Sequence, residues 1–117
     1  MILGLADKFE LINDTNLLIQ RVDNINLSSL RGSLDSLKEE KGKSVVVIAG
    51  NFEGKAMLII SVSKDLIDSV DARNLLESCA DIIGAKGGGR SDYAQAGGDR
   101  IDKIDDALEA SKNFFNK

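Results

Sequence analysis

Apolar residues at Ile2, Leu5, Phe9 and Ile12 are spaced three, four and three apart, which places them on one face of a helix beginning almost at the first residue. Asn13, Asp14 and Thr15 then supply turn chemistry, and Asn16 to Val22 reads as a short strand. A second stripe, Leu27, Leu30, Leu34 and Leu37, predicts a helix with Asn26 at its N-cap and Arg31 one turn from Asp35. The stripe lasts under two heptads, whereas a coiled-coil seam needs about three or four, so packing on a sheet is the favoured reading.

The stretches Ser44 to Ala49 and Lys55 to Val62 hold the apolar runs Val45 to Ile48 and Met57 to Ile60. Between them Gly50 to Gly54 is short and turn-forming, which predicts a hairpin of central strands covered on at least one face. Asp71 is placed to cap a helix that buries Leu75, Leu76, Cys79, Ile82 and Ile83, with Val70 and Leu75 forming a hydrophobic staple. Gly84 follows where a left-handed terminator is wanted. Asp99 is placed to cap a last helix carrying Ile101, Ile104, Leu108 and Phe115. These elements predict an α+β domain, a single sheet with helices packed on it. Residues 1–12 are read as the end of a preceding helical element and residues 13–117 as the globular domain.

At 117 residues, 43% apolar and 29% charged, the chain has the size and composition of one ordinary globular domain. The absence of histidine changes the picture most, because it removes the commonest general base and the commonest metal ligand together. With Cys79 as the one cysteine, zinc chemistry is nearly excluded, and although a carboxylate-only magnesium site is open in principle, the scattered carboxylates read better as solvated charge. Neither a catalytic residue nor a metal ligand is assigned, and the chain is expected to need no cofactor and to be no enzyme on its own. The spacing of Cys79 within an apolar stripe favours buried packing over reactivity. No apolar run approaches the roughly eighteen residues of a membrane span and no signal sequence is evident, so a cytoplasmic location without membrane attachment is expected. The net charge of −4 repels polyanions at long range, so any nucleic-acid site has to be local.

The one unusual segment runs from Gly84 to Gly98, Gly-Ala-Lys-Gly-Gly-Gly-Arg-Ser-Asp-Tyr-Ala-Gln-Ala-Gly-Gly, and holds six of the eleven glycines. Consecutive glycines cost conformational entropy on ordering, which points to positive φ or to close approach of another group to the backbone. Lys86 and Arg90 bracket Gly87, Gly88 and Gly89, so bare amide groups and two cations make a candidate anion site. Asp92 and Gln95 add groups able to bond a base edge or a 2′-hydroxyl, Tyr93 adds one ring, and Gly97 and Gly98 close the tract. The spacing matches neither the P-loop nor the dinucleotide fingerprint. On spacing alone, a glycine loop with solvated charges and a ligand site are equally good readings.

The string from Gly84 to Gly98 resembles the glycine-rich signature at the C-terminus of alanyl-tRNA synthetases, in the domain type also associated with DHH phosphoesterases. Leu27 to Lys43 resembles the family's leucine-spaced helix and Ser44 to Asp65 its hairpin, so the resemblance covers nearly the whole chain. The phosphoesterase branch typically carries histidine at the position of Arg90 and lacks the Asp-x-Ala-Gln pattern, so Arg90, Asp92 and Gln95 favour the synthetase branch. Two departures are Ala85, where the family commonly has glycine, and Ser91, where it commonly has proline.

The resemblance implies a C-terminal domain that engages the outer corner of tRNA(Ala) and helps link alanylation with editing. On that reading the tRNA-binding residues are Lys86, Gly87, Gly88, Gly89, Arg90, Asp92, Tyr93, Gln95, Gly97 and Gly98. The parent alanine-tRNA ligase would use ATP, magnesium and zinc in other domains. Those catalytic and editing domains would be partners of the fragment, itself expected to be monomeric. The alternatives are the substrate-binding domain of a DHH-type nucleotide phosphodiesterase and a protein-partner module.

Overall fold

The computed structural model describes residues 10–12, 15–24, 32, 43–68 and 70–115. Among them lie six strands: β1 (Glu10–Ile12), β2 (Thr15–Arg21), β3 (Ser44–Phe52), β4 (Lys55–Val62), β5 (Lys86–Gly89) and β6 (Tyr93–Gly98). They form one mixed sheet in the order β1-β2-β3-β4-β6-β5. Only the β2–β3 pair is parallel, Asn16 lying opposite Ser44 and Arg21 opposite Ala49, and every other pair is antiparallel. Two helices, α1 (Ala72–Ala80) and α2 (Ile104–Phe115), pack against the sheet, which makes the fold α+β as the periodicities predict.

β-Branched residues fill the central strands because both sheet faces are buried, and side chains of that shape pack well on a pleated surface. On one face Val45 and Val47, Leu58 and Ile60, and Ala94 and Ala96 meet Leu75, Leu76 and Cys79 of α1 and Ile104, Ala107 and Leu108 of α2. The other face buries Leu18, Val46, Ile48 and Ile59. Hiding each large apolar side chain contributes about 1.5–3 kcal/mol, so the β3–β4 hairpin is the energetic centre of the molecule. Its turn has Glu53 at φ 53° and Gly54 at φ 84°, the paired left-handed geometry that matches strand twist.

Helix α1 starts where Asp71 accepts a hydrogen bond from the Arg73 amide. It passes into a 3-10 turn, Asp81–Ile83, and stops at Gly84, whose φ of 67° is the expected left-handed terminator. Burial pushes the Cys79 thiol up to about 11, so it is an inert packing group.

Three expectations are corrected. Residues 10–12, expected to end a helix, form β1, with Glu10 opposite Leu17 and Ile12 opposite Thr15. Backbone pairing along β2 outweighs a short helical stripe, since local periodicity is a weak prior against tertiary hydrogen bonding. The rest of that expected helix lies outside the described residues. So does the leucine stripe at 27–37, within which Gly32 is described and is helical. The last helix is entered through a 3-10 turn, Ile101–Lys103, that follows Arg100 with no side-chain cap, so Asp99 does not play its expected part. Ile101 is correspondingly exposed instead of packed.

Candidate nucleic-acid interface

Strands β5 and β6 fold the glycine-rich tract into an antiparallel hairpin at one edge of the sheet. The turn is Arg90-Ser91-Asp92-Tyr93, closed by the Arg90 amide donating to the Tyr93 carbonyl at 2.6 Å and the Tyr93 amide donating back at 3.3 Å. It is fastened to the body twice. The Val62 amide donates to the Asp92 carbonyl at 2.8 Å, and the Ala72 amide to the Ser91 carbonyl at 2.9 Å. The end of β4 and the start of α1 thus hold the tip in place.

Because Arg90 and Tyr93 exchange both hydrogen bonds, the alternation of an antiparallel ladder makes Gly88 with Gln95 and Lys86 with Gly97 bonded pairs too. The amide and carbonyl groups of Gly87 and Gly89 then point away from β6. They lie along the outer edge of β5, which has no further strand beside it among the described residues. The tract is therefore neither a loose loop nor a cradle of consecutive amides. Half of its amides serve the fold, and the other half face outward in alternation.

The same geometry accounts for two glycines without any ligand. A Cβ on Gly87 would lie 2.2 Å from the Gln95 carbonyl oxygen, and one on Gly89 would lie 2.2 Å from the Tyr93 carbonyl oxygen. At Gly88, by contrast, a Cβ would meet nothing within 4 Å. Close approach of the protein's own backbone, one of the two uses expected for such glycines, is what fixes positions 87 and 89.

Around this frame the polar side chains are distributed by strand alternation. Arg90 sits at the tip with its side chain 73% exposed, its Nε 3.5 Å from an Asp92 carboxylate oxygen. That single contact orients the guanidinium while leaving most of it on the surface. Tyr93 and Gln95 project from the face opposite Ala94 and Ala96, and the Tyr93 hydroxyl donates to Gln95 Oε1 at 3.1 Å. Half-buried and hydrogen-bonded, Tyr93 is a rim residue that positions Gln95. Gly97 follows on that face, Gly98 ends β6, and Lys86 stands at the far end of β5 opposite Gly97. Lys86 hence begins β5, and Arg90 follows directly after its last residue, Gly89.

Arg100 is the residue that sequence reasoning passed over. Its amide donates to the Ile83 carbonyl at 3.1 Å, and a Cβ on Gly84 would fall 3.3–3.4 Å from its Cγ and Nε. The exposed Arg100 side chain therefore lies against Gly84, at the mouth of β5 and at the same end as Lys86. The signal was present as a cation two residues past Gly98, but only the return of β6 alongside β5 brings it there.

Among the described residues, a six-stranded mixed sheet with two helices packed on one face and a glycine hairpin at its edge defines a DHHA1-type domain. The DHHA1 domain family matches residues 14–117, and the chain belongs to that family. Within it, the chain is similar to the C-Ala domain from Aquifex aeolicus alanyl-tRNA synthetase, with 31% identity and a TM-score of 0.83 over 94% of this chain and 99% of that one. A DHH-domain member of the s1p family of ribosomal proteins shares the fold at 17% identity and a TM-score of 0.68, over 95% of this chain and 28% of that one. No helix among the described residues is long and apolar enough to cross a membrane.

Proposed function

We propose that this domain binds tRNA, at the outer corner of the L, on behalf of an alanine-tRNA ligase to which it is joined, and so supports alanylation and editing carried out elsewhere in that enzyme. The observation that carries the reading is the end-to-end match to a C-Ala domain, with the glycine signature folded as a surface hairpin that displays Arg90. Arg90 at the tip and Lys86 with Arg100 at the opposite end neutralise phosphates, and Gln95, held by Tyr93, offers hydrogen bonds between them. The substrates and ions of the parent enzyme, ATP, magnesium and zinc, belong to its other domains in this reading.

Few phosphate contacts on a body of net charge −4 give a weak, salt-sensitive complex, with Kd on the order of 10⁻⁴ to 10⁻⁶ M. Tethering raises the effective concentration to about millimolar over a short linker, which makes such a contact useful. Titration of labelled tRNA(Ala) at two salt concentrations tests the reading. Arg90→Ala is expected to lose about 1–3 kcal/mol of binding and to flatten the salt dependence. An affinity left unchanged by that substitution would refute the part given to Arg90.

A further inference from the structure

A groove of about 480 Å³ runs between helix α1 and the outer edge of β5, lined by Leu76, Glu77, Ala80, Asp81, Ala85 and Gly87. Its floor is apolar, with Leu76, Ala80 and Ala85 all under a tenth exposed, and its helix wall carries the exposed carboxylates of Glu77 and Asp81. The opposite wall is the β5 edge, where Gly87 and Gly89 present outward amide and carbonyl groups with no side chain to obstruct them.

We propose that this groove takes an extended peptide segment of another protein, added to the sheet as a seventh strand antiparallel to β5, with a lysine or arginine facing Gly87. Peptide residues opposite Gly87 and Gly89 each exchange two main-chain hydrogen bonds, at a spacing of about 6.7 Å that suits any extended chain. Residues directly opposite each other in a sheet project from the same face, and Gly87 shares the face of Ala96, where α1 packs. The side chain facing Gly87 therefore enters the groove. A long basic side chain fits both parts of it, its methylenes on Leu76, Ala80 and Ala85 and its charge beside Glu77 and Asp81.

Two other occupants suit the groove less well. A second copy of the chain paired through its own β5 would place glycine opposite glycine and leave the groove unfilled. A nucleic-acid strand would bring phosphates towards two carboxylates. At the groove itself the exposed carboxylates of Glu77 and Asp81 attract a basic side chain and repel a phosphate.

The test is an NMR titration of the isotopically labelled 117-residue chain with a short serine, threonine and valine peptide carrying one central arginine. The same peptide with glutamate in the centre is the control. The expected result is shifting and solvent protection of the Gly87 and Gly89 amides by the arginine peptide. Reversing both charges on the exposed positions, Glu77→Lys with Asp81→Lys, should weaken that peptide about tenfold and transfer the preference to the glutamate peptide. A thermal melt confirms that the double variant stays folded, and Arg90→Ala should leave peptide binding intact, which separates this site from the RNA reading. Three results would overturn the proposal: equal affinity for the two peptides, silence at Gly87 and Gly89 with millimolar peptide, or protection of those amides by self-association or by tRNA.

Discussion

Two hairpins of one sheet solve opposite problems. The β3–β4 hairpin buries Val45, Val46, Val47, Leu58 and Ile60 completely and turns through two left-handed residues, Glu53 and Gly54. The β5–β6 hairpin carries glycine or alanine at most positions, has no left-handed residue in its turn, and leaves Gly87, Gly88, Gly89 and Arg90 exposed. In the first, side chains hold the strands; in the second, the strands approach so closely that side chains must be missing. Stability is concentrated in the centre of the sheet, and the edge hairpin contributes little apolar burial. An edge of that kind can present main-chain groups and cations without endangering the core.

The contrast is broken first in the centre. Leu58 is wholly buried in β4, between the sheet and the helices, so Leu58→Ala is expected to cost about 2–5 kcal/mol in chemical denaturation. A loss under about 1 kcal/mol would mean that the central hairpin is not where the stability lies.

Within the edge hairpin the expected effects are smaller and alternate along the strand. Gly87→Ala and Gly89→Ala each force a methyl into the backbone of β6, and overpacking of this kind costs about 1–3 kcal/mol. Gly88→Ala meets open space and should stay within about 0.5 kcal/mol of the parent. Three equal losses, or three neutral results, would show that the tract is not the paired strand described above.

That alternation explains what could and could not be read from the sequence. The central hairpin was legible because a strand buried on both faces writes itself as a continuous run, Val45 to Ile48 and Met57 to Ile60, with turn residues between. Helix α1 was legible from a capping aspartate, Asp71, an apolar stripe and a terminating glycine, Gly84. The glycine tract was recognised as special, but its conformation was not, since glycine has no side chain whose periodicity could report a strand. Among the described residues Lys86 to Gly89 pairs with β6 only, a cross-strand cause that no periodicity along the strand itself encodes. Arg100 escaped for the same reason, and β1 was misread because four apolar residues at helical spacing do not record which backbone groups will find partners.

The gentlest perturbation falls on the turn that distinguishes the two hairpins. Ser91 follows Arg90 at the first central position of a turn whose central residues have no positive φ, the position where a locked φ near −65° is tolerated best. Its amide makes no backbone hydrogen bond among the described residues, whereas its carbonyl, which proline would retain, accepts from Ala72. Arg90, paired across the hairpin with Tyr93, already has the extended character that a following proline demands. Ser91→Pro is thus expected to stabilise the domain by about 0.4–1 kcal/mol, through the restricted unfolded chain, in thermal or denaturant unfolding. The gain depends on the tip being held as described, since a turn free to rearrange would lose its fastening to β4 and α1 when proline is introduced. Destabilisation by Ser91→Pro would therefore place the flexibility of the molecule at the tip that displays Arg90 and deprive the edge hairpin of the rigidity that its proposed contacts require.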